Sequence, residues 1–482
     1  MTFEQLLKVA SSKNPPSVCV DSRQVHAGDV FVAVRGSLQD GHQYIDQAIT
    51  QGAGYIVCQE RPARWADAGV EFVVVPDSSR AAAVLAQAGC GDPGSRLVNL
   101  AVTGTNGKTT VAYLVRSCIE KAGHRCGLLG TVTYDTGRRA IAASLTTPDS
   151  LAIARLQKEM VDAGCRYMVM EASSHALSQG RCTGIDFAAA AFTNLTGDHL
   201  DYHKTLDNYL AAKAVLFEGL SAGATAVLNA QSPQSRSIAQ RTKARQLWYG
   251  IDRDSDLAAH IDSMDAGGTA YHLHYGGQAV VVQSPLLGQH NVSNHLAAAG
   301  LCLAAGLDLR TIADGLAALT CVPGRLDRVQ WDGPFSVLVD FAHTDDALQN
   351  VLTTLRPLCR GRLIAVFGCG GDRDRTKRPR MAKVVEALAD RVVVTSDNPR
   401  TEDPQQIIRE IVAGLAQGGA ESLHTEPDRR AAIEWAIGQA RPGDIVLIAG
   451  KGHEAYQIIG QQRLAFSDKQ VAQETLGRWK AR

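Results

Sequence analysis

Four apolar runs in the last third of the chain constrain its fold most strongly, because a polar, often glycine-rich stretch follows each of them at once. They are contained in FSVLVDFAHT, RLIAVFGCGGDRD, RVVVTSDNPR and DIVLIAGKGHE. Strands that alternate with helical patterns are typical of parallel α/β sheets. Ligands bind to such sheets beyond the carboxyl ends of the strands. We therefore predict one site there, rather than four ordinary solvated loops. The side chains at these strand ends are Asp340, His343, Arg373, Asn398, Arg400, Lys451, His453 and Glu454.

The stretch LVNLAVTGTNGKTT, residues 97–110, adds a second constraint: an apolar strand enters a glycine-rich turn, and a helical pattern follows. Glycines let backbone N–H groups surround phosphate oxygens, and the helix N-terminus adds partial positive charge. The usual pattern has a further glycine at the position of Val102, but the strand-to-helix context favours a phosphate site over a chance turn. We predict that the chain binds ATP or a similar nucleotide, with Lys108 on the terminal phosphates and Thr109 on Mg²⁺. The predicted loop residues are Gly104, Thr105, Asn106, Gly107, Lys108, Thr109 and Thr110.

Composition argues against several classes of protein. The formal net charge is +0, so no basic field points to a nucleic-acid partner. The longest run of apolar residues and glycine, residues 296–307, is shorter than the about 20 residues that a membrane-spanning helix needs, and the first residues lack the pattern of a signal peptide. The 11 cysteines are scattered without a CxxC pair, as expected of reduced thiols. We predict a cytoplasmic protein that does not insert into a membrane and is a monomer.

A third group of polar residues follows in the middle of the chain. Glu171 ends the apolar run of YMVMEASSHALSQGR, where a carboxylate could hold Mg²⁺. A predicted loop before a helix then carries Asp198, His199, Asp201 and His203. Lys213 lies on that helix among apolar residues, and by its pattern alone it is more typical of a solvated or snorkelling lysine than of a functional one.

The motifs GTNGKTT, EASSH, DHLDYH, YLAAK, PGRLDRV, FAHTDDAL, GCGGDRDRTKRP, DNPR and GKGHE follow one another along the chain. In this order they resemble the Mur ligases of peptidoglycan synthesis over essentially the whole chain. The resemblance implies an α/β protein of three domains. Residues 1–89 would form a small α/β domain that binds the UDP-sugar, residues 90–327 a P-loop ATPase-type parallel-sheet domain that binds ATP, and residues 328–482 a Rossmann-like domain that binds an amino acid.

The resemblance also implies roles for individual residues. Lys213 matches a lysine that the family carbamylates with CO₂, which would turn a cation into an anionic oxygen ligand. Lys108, Glu171, His199 and Lys213 would be catalytic, and two Mg²⁺ ions would be held by Thr109, Glu171, His199 and carbamylated Lys213. Further ATP contacts would come from Asn291, Asn294, Arg325 and Asp340. The UDP-substrate would be held by Ser22, Arg23, Thr146, Thr147, Ser173, Gln179 and Arg181.

The activity implied is ATP-dependent amide ligation through an acyl phosphate, with meso-2,6-diaminopimelate added to UDP-N-acetylmuramoyl-L-alanyl-D-glutamate. Diaminopimelate differs from lysine by a distal carboxylate, which the planar fork of an arginine reads in a bidentate manner. Because DNPR accompanies diaminopimelate in the family, Arg400 is the expected reader. The other residues expected around the amino acid are Arg373, Asp397, Asn398, Gly450 and Glu454.

Four alternatives remain: a lysine-adding or other Mur-type ligase, a relative of folylpolyglutamate synthetase, a kinase, and a non-catalytic nucleotide-responsive binding protein. DNPR argues against the first, and the N-terminal stretch DSRQVHAGDVFVAVRG, similar to the family's uridine-binding segment, argues against the second. A kinase would leave the third domain unexplained. Retention of the four implied catalytic residues argues against a non-catalytic protein. The chain departs from the family pattern at Leu145, where asparagine is frequent, and at Asp345, where proline is common.

Overall fold

The computed structural model describes residues 1–36, 39–61, 69–252, 254–265, 267–416 and 422–480. These residues form three α/β units, which are built on sheets of four, eleven and six strands, together with a two-stranded hairpin. None of the described helices combines the length and the apolar character that crossing a membrane requires. All cysteines are free thiols.

The first sheet consists of four parallel strands in chain order. Apolar side chains pack on both of its faces, which explains why its strands are almost wholly apolar. The strands are β1 (Val18–Cys19), β2 (Val30–Val32), β3 (Tyr55–Cys58) and β4 (Glu71–Val74). The helices are α1 (Phe3–Ala10), α2 (Ile45–Thr50) and α3 (Ser78–Gly89).

The second sheet is parallel at its centre and antiparallel at both edges. Its order is β15-β14-β13-β12-β11-β10-β5-β9-β6-β7-β8, with antiparallel pairing only for the two outermost strands on each side. The strands are β5 (Val98–Thr103), β6 (Cys126–Leu129), β7 (Thr133–Asp135), β8 (Ala140–Ala142), β9 (Tyr167–Glu171), β10 (Phe187–Phe192), β11 (Thr225–Asn229), β12 (Arg245–Ile251), β13 (Leu257–Asp265), β14 (Gly268–Tyr275) and β15 (Gln278–Ser284).

Helices cover both faces of this second sheet, and each face has its own apolar cluster. Strand β5 lies between β9 and β10 and is buried along nearly its whole length, so the loop that follows it starts from the rigid middle of the domain. The helices are α4 (Lys108–Lys121), α5 (Ser150–Asp162), α6 (Ser174–Ser178), α7 (Leu200–His203), α8 (Leu206–Glu218), α9 (Ser235–Ala239), α10 (Gln289–Ala304) and α11 (Leu309–Ala318).

The third sheet has the order β16-β17-β21-β18-β19-β20 and is parallel except for β16. The predicted boundary at residues 327/328 falls inside β16, and the domain limits stay a prediction. The strands are β16 (Asp327–Arg328), β17 (Ser336–Asp340), β18 (Leu363–Phe367), β19 (Arg391–Val394), β20 (Leu423–Thr425), β21 (Ile445–Ala449), and the hairpin strands β22 (Tyr456–Ile459) and β23 (Gln462–Ala465). The helices are α12 (Asp345–Leu355), α13 (Lys377–Leu388), α14 (Pro404–Val412), α15 (Arg429–Gln439) and α16 (Asp468–Lys480).

The four apolar runs with which the sequence argument began are β17, β18, β19 and β21. All four are parallel, so their carboxyl ends lie at the same edge of the sheet. The polar loops that follow these strands can therefore lie close together, as predicted.

Candidate active site

The loop between β5 and α4 has the predicted strand–turn–helix form. Gly104 and Gly107 have φ of +147° and +91°, which disfavours any side chain. An added Cβ would also lie 1.9 Å from Thr193 Oγ1 at Gly104 and 2.3 Å from Asn294 Oδ1 at Gly107. Helix α4 starts at Lys108 without a hydrogen bond from a capping side chain, so its first backbone N–H groups are available to an anion.

The end of the neighbouring strand β10 fixes this loop. Asn194 accepts hydrogen bonds from the backbone N–H of Asn106 at Oδ1 and of Thr105 at its carbonyl, each 2.9 Å long. Thr193 Oγ1 donates to the carbonyl of Asn106 over 2.6 Å. The sequence interpretation did not single out Asn194, although it follows an apolar strand and the strand-end rule would have found it.

A cleft of about 350 Å³ opens beside this loop. Its walls come from the second and the third sheet, and they include every predicted ATP residue except Gly104, which starts the loop. These lining residues are Thr105, Asn106, Gly107, Lys108, Thr109, Thr110, Asn291, Asn294, Arg325 and Asp340. We call this the nucleotide cleft.

Two lysines meet at the carbonyl of Gly104. Lys108 Nζ donates to it over 2.9 Å and to the Thr105 carbonyl over 2.8 Å, and Lys213 Nζ donates to it over 2.7 Å. Lys213 is only 1% exposed, and burial together with the charge of Lys108 holds its pKa well below the usual value. The pattern-based interpretation of Lys213 as a solvated or snorkelling lysine is therefore wrong: it is a buried amine whose protonation is disfavoured by its surroundings.

Glu171, at the end of β9, is a carboxylate of the nucleotide cleft that three hydrogen bonds hold in place. It is 1% exposed. It accepts hydrogen bonds from Thr109 Oγ1 (3.0 Å), Thr131 N (2.8 Å) and Thr131 Oγ1 (2.9 Å). Gly130 is required beside it, because a Cβ there would lie 2.4 Å from Glu171 Oε1. Thr131 was missed at the sequence level, although it follows the end of β6.

The donor set around Thr109 and Glu171 suits a hard cation, since hydroxyl and carboxylate oxygens are the ligands that Mg²⁺ prefers. Arg325 Nη2 lies 3.0 Å from Thr109 Oγ1. No group of three or more His, Cys, Asp and Glu side chains in the described part of the chain is arranged to hold a metal ion. Mg²⁺ typically takes one or two carboxylates and completes its shell with phosphate oxygens and water, and these residues fit that mode.

Asp198 and His199 follow on the loop after β10. His199 has a φ of +55° and precedes α7 directly, and burial lowers its pKa, so its ring is neutral at pH 7. Burial also opposes ionisation of Asp198, but a hydrogen bond from His343 and the charges of neighbouring groups such as Lys377 together outweigh this effect, so the pKa of Asp198 lies well below its usual value. The predicted loop at residues 198–203 is wrong in part, because residues 200–203 form α7. The short helix α6, which Ser173 caps, lies earlier in the chain, between β9 and β10.

A second cleft of about 170 Å³ lies at the carboxyl edge of the third sheet. All six residues expected around the amino acid line it: Arg373, Asp397, Asn398, Arg400, Gly450 and Glu454. We call it the amine cleft. Its floor is a hydrogen-bonded triad. Lys451 Nζ donates to Asn398 Oδ1 (3.0 Å) and Glu454 Oε2 (2.7 Å), and Asn398 Nδ2 donates to Glu454 Oε2 (2.9 Å).

Arg400 holds an uncommon backbone position at one wall of the amine cleft. Its φ is +52°, its N–H donates to the carbonyl of Ile458 over 3.1 Å, and its Nη1 donates to the carbonyl of Gly371 over 2.7 Å. Burial and the nearby Arg373 lower the pKa of Arg400. Two guanidinium groups thus line one small cleft, an arrangement that favours an anionic ligand group.

The two clefts share a wall. Asp198, His199, Phe341 and His343 line both of them. The phosphate-binding loop and Arg400 therefore lie on opposite sides of these four residues. A substrate group bound in one cleft can thus contact a substrate group bound in the other.

The residues expected to hold the UDP-substrate fall into two sets. Thr147 Oγ1 donates to the carbonyl of Glu171 (2.7 Å) and to Ser173 Oγ (3.2 Å), and Arg181 donates to the Thr147 carbonyl (3.0 Å) and to Gln179. Thr146 lines the nucleotide cleft. Ser22 and Arg23 instead lie in the first domain and line neither cleft. Ser22 Oγ donates to Gln47, and Arg23 pairs with Asp21.

The two departures from the family pattern have simple surroundings. The side chain of Leu145 is 48% exposed, and its backbone exchanges hydrogen bonds with the hydroxyl of Tyr134. Asp345, at the start of α12, pairs with Arg380 over 2.9 Å. Next to it, Asp346 accepts a hydrogen bond of 2.7 Å from Asn106 of the phosphate loop, so this helix start joins the third domain to the nucleotide cleft.

Three family models match the chain in order. "Mur ligase family, catalytic domain" matches residues 17–89, "Mur ligase middle domain" residues 102–302, and "Mur ligase, glutamate ligase domain" residues 324–452. Together they follow the same three-sheet division as the structure.

Curated proteins and solved structures are similar to the chain over nearly its full length. The UDP-N-acetylmuramoyl-L-alanyl-D-glutamate–2,6-diaminopimelate ligase of Geobacillus thermodenitrificans is 47% identical over 95% of this chain and 94% of its own length. A solved structure of a ligase with the same name is 34% identical, with a TM-score of 0.68 over 97% of this chain and 96% of its own. The MurF ligase of Thermotoga maritima in complex with ADP, 19% identical with a TM-score of 0.64 over 98% of each chain, shares the fold.

Proposed function

The chain belongs to the Mur ligase family, and we propose that it joins the amino group of meso-2,6-diaminopimelate to the terminal carboxylate of UDP-N-acetylmuramoyl-L-alanyl-D-glutamate with consumption of ATP. Relatives more than 40% identical over nearly their whole length carry this activity in their names. The observation that carries the proposal is the wall shared by the nucleotide and amine clefts. It allows a group activated at the phosphate loop to meet an amine held at the third sheet.

The reaction has two steps in this arrangement. A carboxylate oxygen of the UDP-substrate attacks the γ-phosphorus of ATP, the bond to the β–γ bridging oxygen breaks, and ADP leaves. The amine nitrogen then attacks the acyl carbon of the acyl phosphate, inorganic phosphate leaves, and the nitrogen loses a proton. Lys108 and the free N–H groups of α4 oppose the negative charge that would repel the attacking carboxylate. The rest of the rate enhancement comes from positioning three substrates.

Mg²⁺ would be held at Thr109 and Glu171, and a second ion at His199 and a carbamate on Lys213, as charge-neutralising ions on the phosphates. Carbamate formation needs an unprotonated amine, which attacks CO₂ and loses a proton. The lowered pKa of Lys213 favours the unprotonated amine. Its surroundings also favour a negative charge there, because Lys108 shares its hydrogen-bond acceptor, the carbonyl of Gly104.

Arg400 would select the amine substrate. The half-buried guanidinium of Arg400, beside a second one at Arg373, is stabilised by a carboxylate, so diaminopimelate would be bound through its distal carboxylate and lysine would leave Arg400 without a carboxylate partner. Within the triad, the carboxylate of Glu454 would attract the ammonium group, while Lys451 and Asn398 donate to its Oε2 and hold it in place. Thr147, Ser173, Gln179 and Arg181 would hold the UDP-substrate in the second domain, with Ser22 and Arg23 at its uridine. A cytoplasmic monomer completes the proposal.

The test measures ADP release by purified protein with ATP, Mg²⁺ and the UDP-substrate, adding either meso-diaminopimelate or L-lysine. We expect release with diaminopimelate only, and its loss in Arg400→Ala. Arg409→Ala is the matched control, because Arg409 is an arginine of the following helix whose partners are Asp403 and Gln406. Equal use of lysine by the wild type, or an Arg400→Ala protein as active as Arg409→Ala, would contradict the assignment.

A further inference from the structure

Arg378 is a buried charge outside both clefts that the mechanism does not use. It is the second residue of α13 and is 0% exposed. A cation is unfavourable in the first turn of a helix, where the macrodipole is positive, and burying a charge is costly unless it is paired. Arg378 lines neither cleft, so its partners must account for its presence.

Those partners lie directly behind the amine cleft. Nη1 of Arg378 donates to Glu402 Oε2 (3.0 Å) and Glu410 Oε2 (2.7 Å), and Nη2 donates to Glu402 Oε1 (2.9 Å) and the carbonyl of Gly370 (3.3 Å). One guanidinium thus bridges the loop after β18, through Gly370, and the loop after β19, through Glu402. A planar fork can make these parallel contacts, and a lysine ammonium cannot reproduce them.

The two loops that Arg378 bridges also contact each other. Asp372 N–H donates to Glu402 Oε1 over 2.6 Å, and Thr401 Oγ1 donates to Asp372 Oδ1 over 2.8 Å. Gly371 N–H donates to the Asn398 carbonyl over 3.0 Å. The carbonyl of Gly371 in turn accepts the hydrogen bond from Arg400 Nη1. The position of the Arg400 guanidinium is therefore set by a loop that Glu402 and Arg378 hold in place.

We propose that Arg378, acting through Glu402 and the carbonyl of Gly370, is a positioning residue that holds the Arg400 guanidinium where it reads the distal carboxylate of the amine substrate, and so helps to determine specificity. The inference rests on the proposed function. Losing the bridge releases the loop of residues 370–372, and Arg400 loses its fixed acceptor. Binding of diaminopimelate weakens, whereas the nucleotide cleft, which shares none of these contacts, keeps its affinity for ATP.

The experiment compares Arg378→Met, Arg378→Lys and Glu402→Gln with Arg362→Met. Arg362 is the matched control, because it pairs with Asp444 through two hydrogen bonds to one carboxylate oxygen (3.2 and 2.7 Å) at the opposite edge of the same sheet. For each protein, kcat and KM are measured for diaminopimelate, L-lysine and ATP, with the Tm. Amide hydrogen exchange of residues 370–372 and 400–402 is followed in parallel.

In Arg378→Met we expect KM for diaminopimelate to rise by about 10- to 100-fold, the effect of displacing a binding group by about 1 Å. The preference for diaminopimelate over lysine falls by a similar factor, and KM for ATP stays unchanged. Arg378→Lys recovers part of the preference. Arg362→Met lowers the Tm without changing the preference. A lowered Tm with an unchanged preference in Arg378→Met would assign Arg378 a structural role only and overturn the proposal.

Two further outcomes are covered by the design. If Arg378→Met does not fold, Glu402→Gln decides, since it keeps the side-chain shape and leaves Arg378 paired with Glu410; an unchanged preference there overturns the proposal. If the wild type shows no ADP release dependent on diaminopimelate, the proposed function fails by itself. The positioning role is then judged by amide hydrogen exchange. If the amides of Asp372 and Thr401 are as strongly protected in Glu402→Gln as in Arg362→Met, the proposal is refuted.

Discussion

Adding one methyl group at Gly371 tests how tightly the amine cleft is built. A Cβ at this position would lie 1.9 Å from the carbonyl oxygen of Pro399 and 2.8 Å from its carbon. Close carbon–oxygen contacts begin at about 3.3 Å, so the loops before Asp372 and Arg400 must separate by roughly 1.4 Å. Both contacts are to backbone, so no side chain can move aside. Because Gly371 also provides the carbonyl that Arg400 Nη1 contacts, the guanidinium moves with the loop.

A displacement of about 1 Å at a positioning group reduces rate by about 100-fold, or about 2.7 kcal/mol of transition-state stabilisation. We therefore expect Gly371→Ala to lower kcat/KM for diaminopimelate by about 100-fold, with KM for ATP unchanged. Gly438→Ala is the control, since this glycine lies within α15 and a Cβ there would meet nothing within 4 Å; Ala should raise stability there by roughly 0.5–1 kcal/mol. Wild-type kcat/KM in a folded Gly371→Ala protein would refute the steric argument.

Two other predictions concern Lys213 and Glu410. Lys213→Arg keeps a positive charge but cannot form a carbamate, so ligation should fall by about 100-fold or more, and wild-type activity should fall in CO₂-depleted buffer and return with bicarbonate; an active Lys213→Arg protein would contradict this. Hydrogen bonds from Arg375 lower the pKa of Glu410 from 4.5 to about 2. The stabilisation is thus present above pH 4.5 and is lost as pH falls toward 2. The Tm of wild type should therefore decline more steeply than that of Glu410→Gln over this pH range. An identical dependence of Tm on pH in the two proteins would contradict a stabilising ion pair between Glu410 and Arg375.

Much of the site could be predicted because its residues follow strands that are recognisable as apolar runs. Strand β5 and the four parallel strands of the third sheet are buried on both faces, so their sequences are almost continuously apolar. Once the strands are known, the rule that ligands bind at carboxyl ends groups Arg373, Asn398, Arg400 and Glu454 without any distance information.

What could not be predicted depends on contacts between distant segments. The short helices α6 and α7 have too few residues to show a helical period, and they form where Ser173 caps one and His199 adopts a positive φ before the other. The acceptor of buried Lys213 on α8 is the Gly104 carbonyl, 109 residues away, so its partner cannot be read from the surrounding sequence. Arg378 resembles a surface arginine in a charged motif, and only the packing of α13 against the loop of Glu402 reveals its burial.

The strand order of the third sheet has a consequence for how the chain acquires its activity during synthesis. Strand β21, Ile445–Ala449, pairs with both β17 and β18, so the strand made last among the parallel ones occupies the middle of the sheet. The first two domains contain their own sheets and can fold as units while the rest is still being made. The third sheet cannot close until β21 has emerged, and pairings over such sequence separations form slowly. A newly made chain would therefore form the phosphate-binding loop before it could complete the nucleotide cleft at Asp340 or accept an amine.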